Sequence, residues 1–253
     1  MDITGLKNKI VVVTGAGQNI GRAICLAFAK SGAHIVINGL NSREKIETVA
    51  EEVRGFGVEA FPVLADASNF YAIDEMVKQA VAKFGSIDIS VANVGIRPRQ
   101  KFEEISIEDW QHVVGVNLNA AFYLARAVLP YMRNQKWGRI IHMSGTDGQY
   151  GLKNRAHVVS AKHAIIGLSR ALAAEYGPDG ITANSIAPGW IDTERNPEWF
   201  PDIEQRIRKI ENDLPLRKIG AVEDVANACL YLASDMGKFI TGQVIHLNGG
   251  EYI

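Results

Sequence analysis

Two stretches carry residue types whose spacing points to chemistry. In RAHVVSAKHA (155–164), Lys162 stands among small side chains, and the residue one helical turn before it on the same face is Val158. A lysine in such a place can hold hydroxyls, stabilise developing negative charge or exchange a proton, whereas valine exchanges none. His157 and His163 flank these two positions and are rotated about 100° from them on a helix, toward packing or an interface. Of Asp147, Tyr150 and Lys153, which precede the stretch, Tyr150 is the side chain whose phenol could reach inward. The second stretch is TGAGQNIGR (14–22), which directly follows the apolar run KIVVVT. A glycine-rich turn between a strand and a helix lets backbone N–H groups approach a pyrophosphate at the positive end of the helix dipole, where a Cβ would obstruct. Neither HxxxH nor CxxC spacing occurs, so no metal is expected.

The elements that must position these residues follow from the apolar patterning. Val- and Ile-rich runs recur at 9–14, 34–38, 58–65, 87–93, 138–144, 181–187 and 243–248. Near-continuous apolar strands are what a parallel sheet covered on both faces demands. Helical patterns lie between them, among them IGRAICLAFAKSG closing on Gly32 and YAIDEMVKQAVAKFG closing on Gly85. The alternation predicts an α/β fold, a single doubly wound Rossmann domain with a seven-stranded parallel sheet flanked by helices. No linker or composition shift divides residues 1–253, and the Pro-bearing stretch 190–216 reads as an insertion between a strand and a helix. Its Trp190, Trp199 and Phe200 are candidates for an apolar lid.

Composition narrows the function classes. With 253 residues and 47% hydrophobic content the chain can bury a full-sized core. Lys+Arg (27) and Asp+Glu (28) nearly cancel and are interspersed, which argues against nucleic acid and membrane surfaces as partners and leaves a small-molecule substrate. Cys25 and Cys229 each sit in a helical pattern, as buried thiols of a reducing compartment do. No N-terminal signal pattern is visible, and by this reading no window approaches the ~18 apolar residues a membrane span requires; a cytoplasmic location is the expectation.

TGAGQNIG resembles the TGxxxGxG turn of the short-chain dehydrogenase/reductase family. The likeness, of a 3-oxoacyl-ACP-reductase-like kind, runs along nearly the whole chain: Asp66 after strand three, ANVG at 92–95 in place of NNAG, Asn117 in VNLN, Lys162 in SAK, NSIAPGWIDT at 184–193 and TGQVIHLNGG near the end. The resemblance implies a nicotinamide dinucleotide cofactor, a small carbonyl or alcohol substrate, and a homotetramer or homodimer. It also assigns residues. Gly15 and Gly21 line the pyrophosphate, with Gln18, Asn19 and Ile20 between them; Asp66, with Ala67, faces the adenine; Asn93, with Gly95, supports the adenosine ribose region. Lys162 holds the nicotinamide ribose, and Pro188, Gly189, Ile191 and Thr193 complete the cofactor site, Thr193 beside the carboxamide.

The sequence departs from the family pattern at the chemical centre. The family's proton donor is a tyrosine four residues before the lysine, and a serine thirteen residues before that tyrosine polarises the carbonyl; Val158 and Gly145 stand there. Ser144 is adjacent, but neighbouring strand residues face opposite ways. Asn19 replaces the middle glycine of the turn, which it can do because asparagine tolerates positive φ, and its side chain then stands near a phosphate. NGLNSR (38–43) lacks the acid an NAD site uses. Asn41, Ser42 and Arg43 incline the reading from NAD toward NADP by offering a 2′-phosphate partners, or they simply start a helix. The expectation is an atypical oxidoreductase with Lys162, Asn117 and Tyr150 as its catalytic set. A non-redox enzyme on the same scaffold and a catalytically silent cofactor-binding subunit stay open. On this reading Gly145→Ser with Val158→Tyr should install ordinary reductase activity, and the helices containing AAFYLARAVLPYM and SAKHAIIGLSRALAAEY, apolar on more than one side, should pair between subunits.

Overall fold

A computed structural model describes residues 4–194 and 202–253. Its seven strands are β1 (Ile10–Val13), β2 (His34–Gly39), β3 (Ala60–Leu64), β4 (Ile89–Ala92), β5 (Gly138–Met143), β6 (Ile181–Pro188) and β7 (Val244–Leu247). They form one parallel sheet in the order β3-β2-β1-β4-β5-β6-β7. Val11 of β1 is in register with Ile35 on one side and Ile89 on the other, so the central strands meet β-branched neighbours on both flanks and are buried throughout. The order reverses between β1 and β4, which opens a crevice beyond the carboxyl ends of these strands, where ligands of such sheets bind.

Among the described residues the α-helices are α1 (Asn19–Lys30), α2 (Arg43–Arg54), α3 (Phe70–Phe84), α4 (Ile107–Val114), α5 (Ala120–Asn134), α6 (Ala156–Tyr176), α7 (Ile203–Asp213) and α8 (Val222–Ala233). On one face Phe28, Val49 and Leu232 bury α1, α2 and α8; on the other Met76, Leu124 and Leu172 bury α3, α5 and α6. α3 stops at Gly85 in the left-handed conformation, as its glycine signals. Cys25 and Cys229 are buried free thiols, which burial pushes well above the ordinary thiol range.

Two expectations are modified. A five-residue π-turn, Gly115–Asn119, joins α4 to α5, so Ile107–Asn134 forms one 28-residue helix apolar enough to span a membrane by length and composition. Half of its apolar window is buried inside the protein, so packing accounts for the apolarity that the sequence scan underestimated. The stretch 190–216 also carries structure of its own: Ile191 bridges to Gly220, and α7 follows. Trp199 and Phe200 lie outside the described residues.

Candidate active site

The turn after β1 is shaped by its glycines and one asparagine. Gly15 has φ +62°, and a Cβ there would press on Val94 and Asn93 at 3.1 and 3.3 Å. A Cβ on Gly21 would collide with the carbonyl of Gly15, so helix α1 approaches the turn as only glycine allows. Asn19 takes φ 49°, as its residue type permits. Its Oδ1 accepts a hydrogen bond from the backbone N–H of Glu194 at 3.0 Å, which ties the turn to the segment after β6. Asn93 braces the turn from the end of β4: its Nδ2 donates to the carbonyls of Thr14 and Gly15 at 3.2 and 3.1 Å. A cleft of about 630 Å³ runs along Gly17, Gln18 and Asn19 to Lys45 and Thr193. Ile20 is half-buried beside it and packs on the core.

Around the crevice the expected residues have specific duties. Asp66 accepts from the Ser68 backbone and hydroxyl at 2.9 and 2.7 Å, and Ala67 beside it is buried. Ser42 caps α2 by accepting from the Lys45 backbone, and Arg43 turns to the Pro62 carbonyl and Glu47. Both side chains thus have partners at the start of α2, and Lys45 lies beside the glycine turn, its Nζ donating to Gln18. Pro188 ends β6, Gly189 donates to the Leu247 carbonyl at 3.0 Å, Ile191 is buried, and Thr193 lines the cleft.

Lys162 lies at the floor of the crevice. The π-turn aims Asn117 at the loop after β4, where its side chain donates to the Ile96 carbonyl and accepts from the Ile96 N–H at 2.9 and 2.8 Å. That clamp holds Gly95 so close that a Cβ on it would lie 3.0 Å from Asn117 Oδ1 and 3.2 Å from Lys162 Nζ. Lys162 is 6% exposed, and its Nζ donates to the Met143 carbonyl at 2.7 Å. Burial first, then the charge of Arg97, pulls its pKa down to about 7, against a smaller opposing pull from Asp147. Val158, fully buried, occupies the same helix face one turn earlier. His142 beside it on β5 is buried against Ser169 at 2.8 Å, and burial with the charge of Lys162 lowers its pKa to about 4.

On the neighbouring loop Tyr150 is paired with an acid. Its hydroxyl donates to Glu251 Oε1 at 3.1 Å, and burial with that carboxylate raises the phenol pKa, opposite to the activation a proton donor needs. Glu251 was not legible as a site residue. Its other oxygen is buried without a partner among the described residues, and burial raises its pKa. Asp147 pairs with Arg155 at 2.9 Å, His157 with Gln100 at 3.0 Å, and Ser144 is fully buried against the Ile186 carbonyl. Gly145 has φ 72° and ψ 167°, a region essentially reserved for glycine. Of the expected set, Gly15, Gly21, Asn93, Gly95, Asn117 and Lys162 converge on one crevice. The glycine cradle and the buried ammonium at its inner end fit the phosphates and ribose hydroxyls of a dinucleotide.

Comparison with known proteins agrees with this geometry. A family model described as enoyl-(acyl carrier protein) reductase matches residues 15–251. The chain is 36% identical over 246 residues to 3-oxoacyl-(acyl-carrier-protein) reductase FabG of Staphylococcus epidermidis, covering 97% of this chain and 100% of that one. It is 36% identical over 249 residues to the (2S)-((R)-hydroxy(phenyl)methyl)succinyl-CoA dehydrogenase subunit BbsD of Thauera aromatica, covering 98% of each. A crystal structure of a candidate short-chain alcohol dehydrogenase from Sinorhizobium meliloti 1021 superposes with a TM-score of 0.93 at 27% identity, covering 98% of each chain.

Proposed function

Since the chain belongs to the short-chain dehydrogenase/reductase family, we propose that it is an NAD(P)-dependent oxidoreductase acting on a small carbonyl or alcohol, with Lys162 in place of a phenol as proton donor. One observation carries this reading: Lys162 Nζ is buried at the crevice floor with, among the described residues, one hydrogen bond, to Met143, and a pKa of about 7. A general acid works best when its pKa lies near the operating pH. Val158, one turn earlier on the same face of α6, has no proton to give, so the ammonium is the group that would meet a substrate carbonyl oxygen. When bound, the reduced nicotinamide supplies the hydride to the carbonyl carbon. Lys162 Nζ gives its proton to the carbonyl oxygen, becomes a neutral amine and regains a proton from solvent. Asn117 positions the wall by holding Ile96, and Gly15 with Gly21 would cradle the pyrophosphate. The NADP form is favoured because Asn38, at the end of β2, offers no carboxylate, and Lys45 stands beside Gln18.

The test combines nicotinamide fluorescence on binding with consumption of NADPH in the presence of 3-oxoacyl thioesters and diketones. Turnover should vanish in Lys162→Met and survive in Tyr150→Phe. Because the ammonium is the required form, kcat/KM for reduction should be level below pH 7 and fall about tenfold per unit above it. Millimolar NADPH and NADH that leave the fluorescence unchanged, or a Lys162→Met variant that still turns over with the same pH profile, would sink the proposal.

A further inference from the structure

The turn after β7 reaches back to two loops of the crevice. Gly249 and Gly250 take φ +63° and +90°, and a Cβ on Gly250 would lie 2.6 Å from Pro215. The Asn248 side chain closes the turn, accepting from the Gly250 N–H at 3.0 Å and donating to the Tyr252 carbonyl at 2.9 Å. The Glu251 N–H donates to the Asn248 carbonyl at 3.1 Å. Glu251 is therefore carried on a fixed piece of backbone. One of its oxygens meets the loop after β5: Oε1 accepts from the Tyr150 hydroxyl at 3.1 Å, and the Tyr252 ring stacks on that of Tyr150 with centroids 5.7 Å apart. This loop lies against the helix of the lysine, since a Cβ on Gly148 would come within 2.8 Å of the Lys162 carbonyl.

The other oxygen meets the loop after β6, where a Cβ on Gly189 would stand 2.7 Å from Glu251 Oε2. That loop runs on to Asp192 and Thr193, which line the cleft along the glycine turn, and to Glu194, which Asn19 holds. One side chain thus touches both the loop that backs Lys162 and the loop that borders the cleft. Packing alone does not call for a carboxyl here. Oε2 is buried without a hydrogen bond among the described residues, so an acceptor is desolvated with no bond in return. An apolar side chain of the same length would fill the space without that cost. What the carboxyl adds is an acceptor for Tyr150 on a side chain wedged under Gly189.

We propose that Glu251 is a positioning residue for the reaction at Lys162, fixing the loop after β5 against the loop after β6 so that substrate and cofactor stay aligned. The proposal deepens the oxidoreductase reading and rests on it for the reaction served. Three substitutions divide the duties of the two oxygens. Glu251→Met keeps the bulk under Gly189 and loses the acceptor, Glu251→Ala loses both, and Glu251→Gln keeps both. In the full chain, NADPH fluorescence reports cofactor binding, and NADPH consumption with 2,3-butanedione and acetoacetyl-CoA reports turnover. Glu251→Met and Tyr150→Phe should each raise the substrate KM three-fold or more, with kcat and NADPH affinity within two-fold of the parent. Their combination should be no worse than either alone, because both remove one hydrogen bond. Glu251→Ala should also weaken NADPH three-fold or more, and Glu251→Gln should stay within two-fold of the parent throughout. Backbone amide exchange followed by mass spectrometry reads the same device without turnover. Residues 146–155 should exchange three-fold or more faster in Glu251→Met, and residues 189–194 should join them in Glu251→Ala. Smaller effects on KM and exchange, a loss of kcat at unchanged KM, additive effects of Glu251→Met and Tyr150→Phe, or a Glu251→Gln variant as impaired as Glu251→Ala would each overturn the proposal. Should Glu251→Ala not fold, Glu251→Met and Tyr150→Phe carry the test. A parent chain that neither binds nor consumes NADPH refutes the oxidoreductase reading, and amide exchange then decides whether Glu251 holds the two loops.

Discussion

At the scale of the residue, Lys162 carries both the chemistry and a cost. An ammonium prefers water, and the folded chain encloses this one until its pKa falls to about 7. A folded-state pKa below the unfolded value means that the group's stability contribution is present above about 10.5 and is lost as pH falls through about 7. Below pH 7 the folded protein therefore holds an unwelcome charge. Lys162→Met should raise stability at pH 6 by on the order of 1–3 kcal/mol while abolishing turnover, and the gain should shrink as pH rises toward 10. Thermal denaturation at pH 6 and pH 9 measures this; a variant less stable than the parent at pH 6 would show that the ammonium is better compensated than its one hydrogen bond implies. Lysine in a helix of small residues was legible in the sequence as a purposeful placement. Its single hydrogen bond and depressed pKa were not, because both depend on which carbonyl and which charge surround it in space.

At the scale of the element, two turns decide how far the crevice can be remodelled. Asn19 sits at positive φ in the glycine turn and clamps the segment after β6; in the sequence the tolerance for positive φ was visible, and the clamp was not. Gly145 shows the opposite relation. In the sequence it reads as a lost serine, yet its backbone lies at φ 72° and ψ 167°, so restoring a side chain strains the loop even though a Cβ there would meet nothing nearer than 3.8 Å. Gly145→Ala should cost about 1–3 kcal/mol, while Gly151→Ala, whose Cβ meets nothing within 4 Å, should stay within about 0.5 kcal/mol of the parent. Urea denaturation of the two variants makes the comparison, and equal stabilities would refute the backbone explanation. The same strain applies to Gly145→Ser with Val158→Tyr, whose gain in reductase activity should then fall short of the ~10²–10⁴-fold that a well-placed general acid contributes.

At the scale of the whole molecule, α6 is buried on one side through Val158, Ile165 and Leu172 and presents Ser160, Ala164, Gly167, Ala171 and Ala174 outward, while Phe122 on α5 is 42% exposed. Small side chains along an outer face let a second backbone approach closely, and a stable interface of roughly 1,200–2,000 Å² is within reach of two such helices. Sedimentation at micromolar concentration should give a multiple of 27.7 kDa, and Ala164→Glu should shift it to the single-chain mass; a parent already sedimenting as one chain refutes the pairing. The sequence by itself determined the strand–helix alternation, the glycine turn and the lysine in its helix, because side-chain periodicity and backbone freedom are properties of neighbouring residues. Only the tertiary structure decided that Tyr150 is bound to Glu251, 101 residues away, and that Asn19 reaches Glu194, 175 residues away. Those pairings depend on strand order and on which sheet-edge loops become neighbours, and a local pattern of apolar and polar residues carries no record of either.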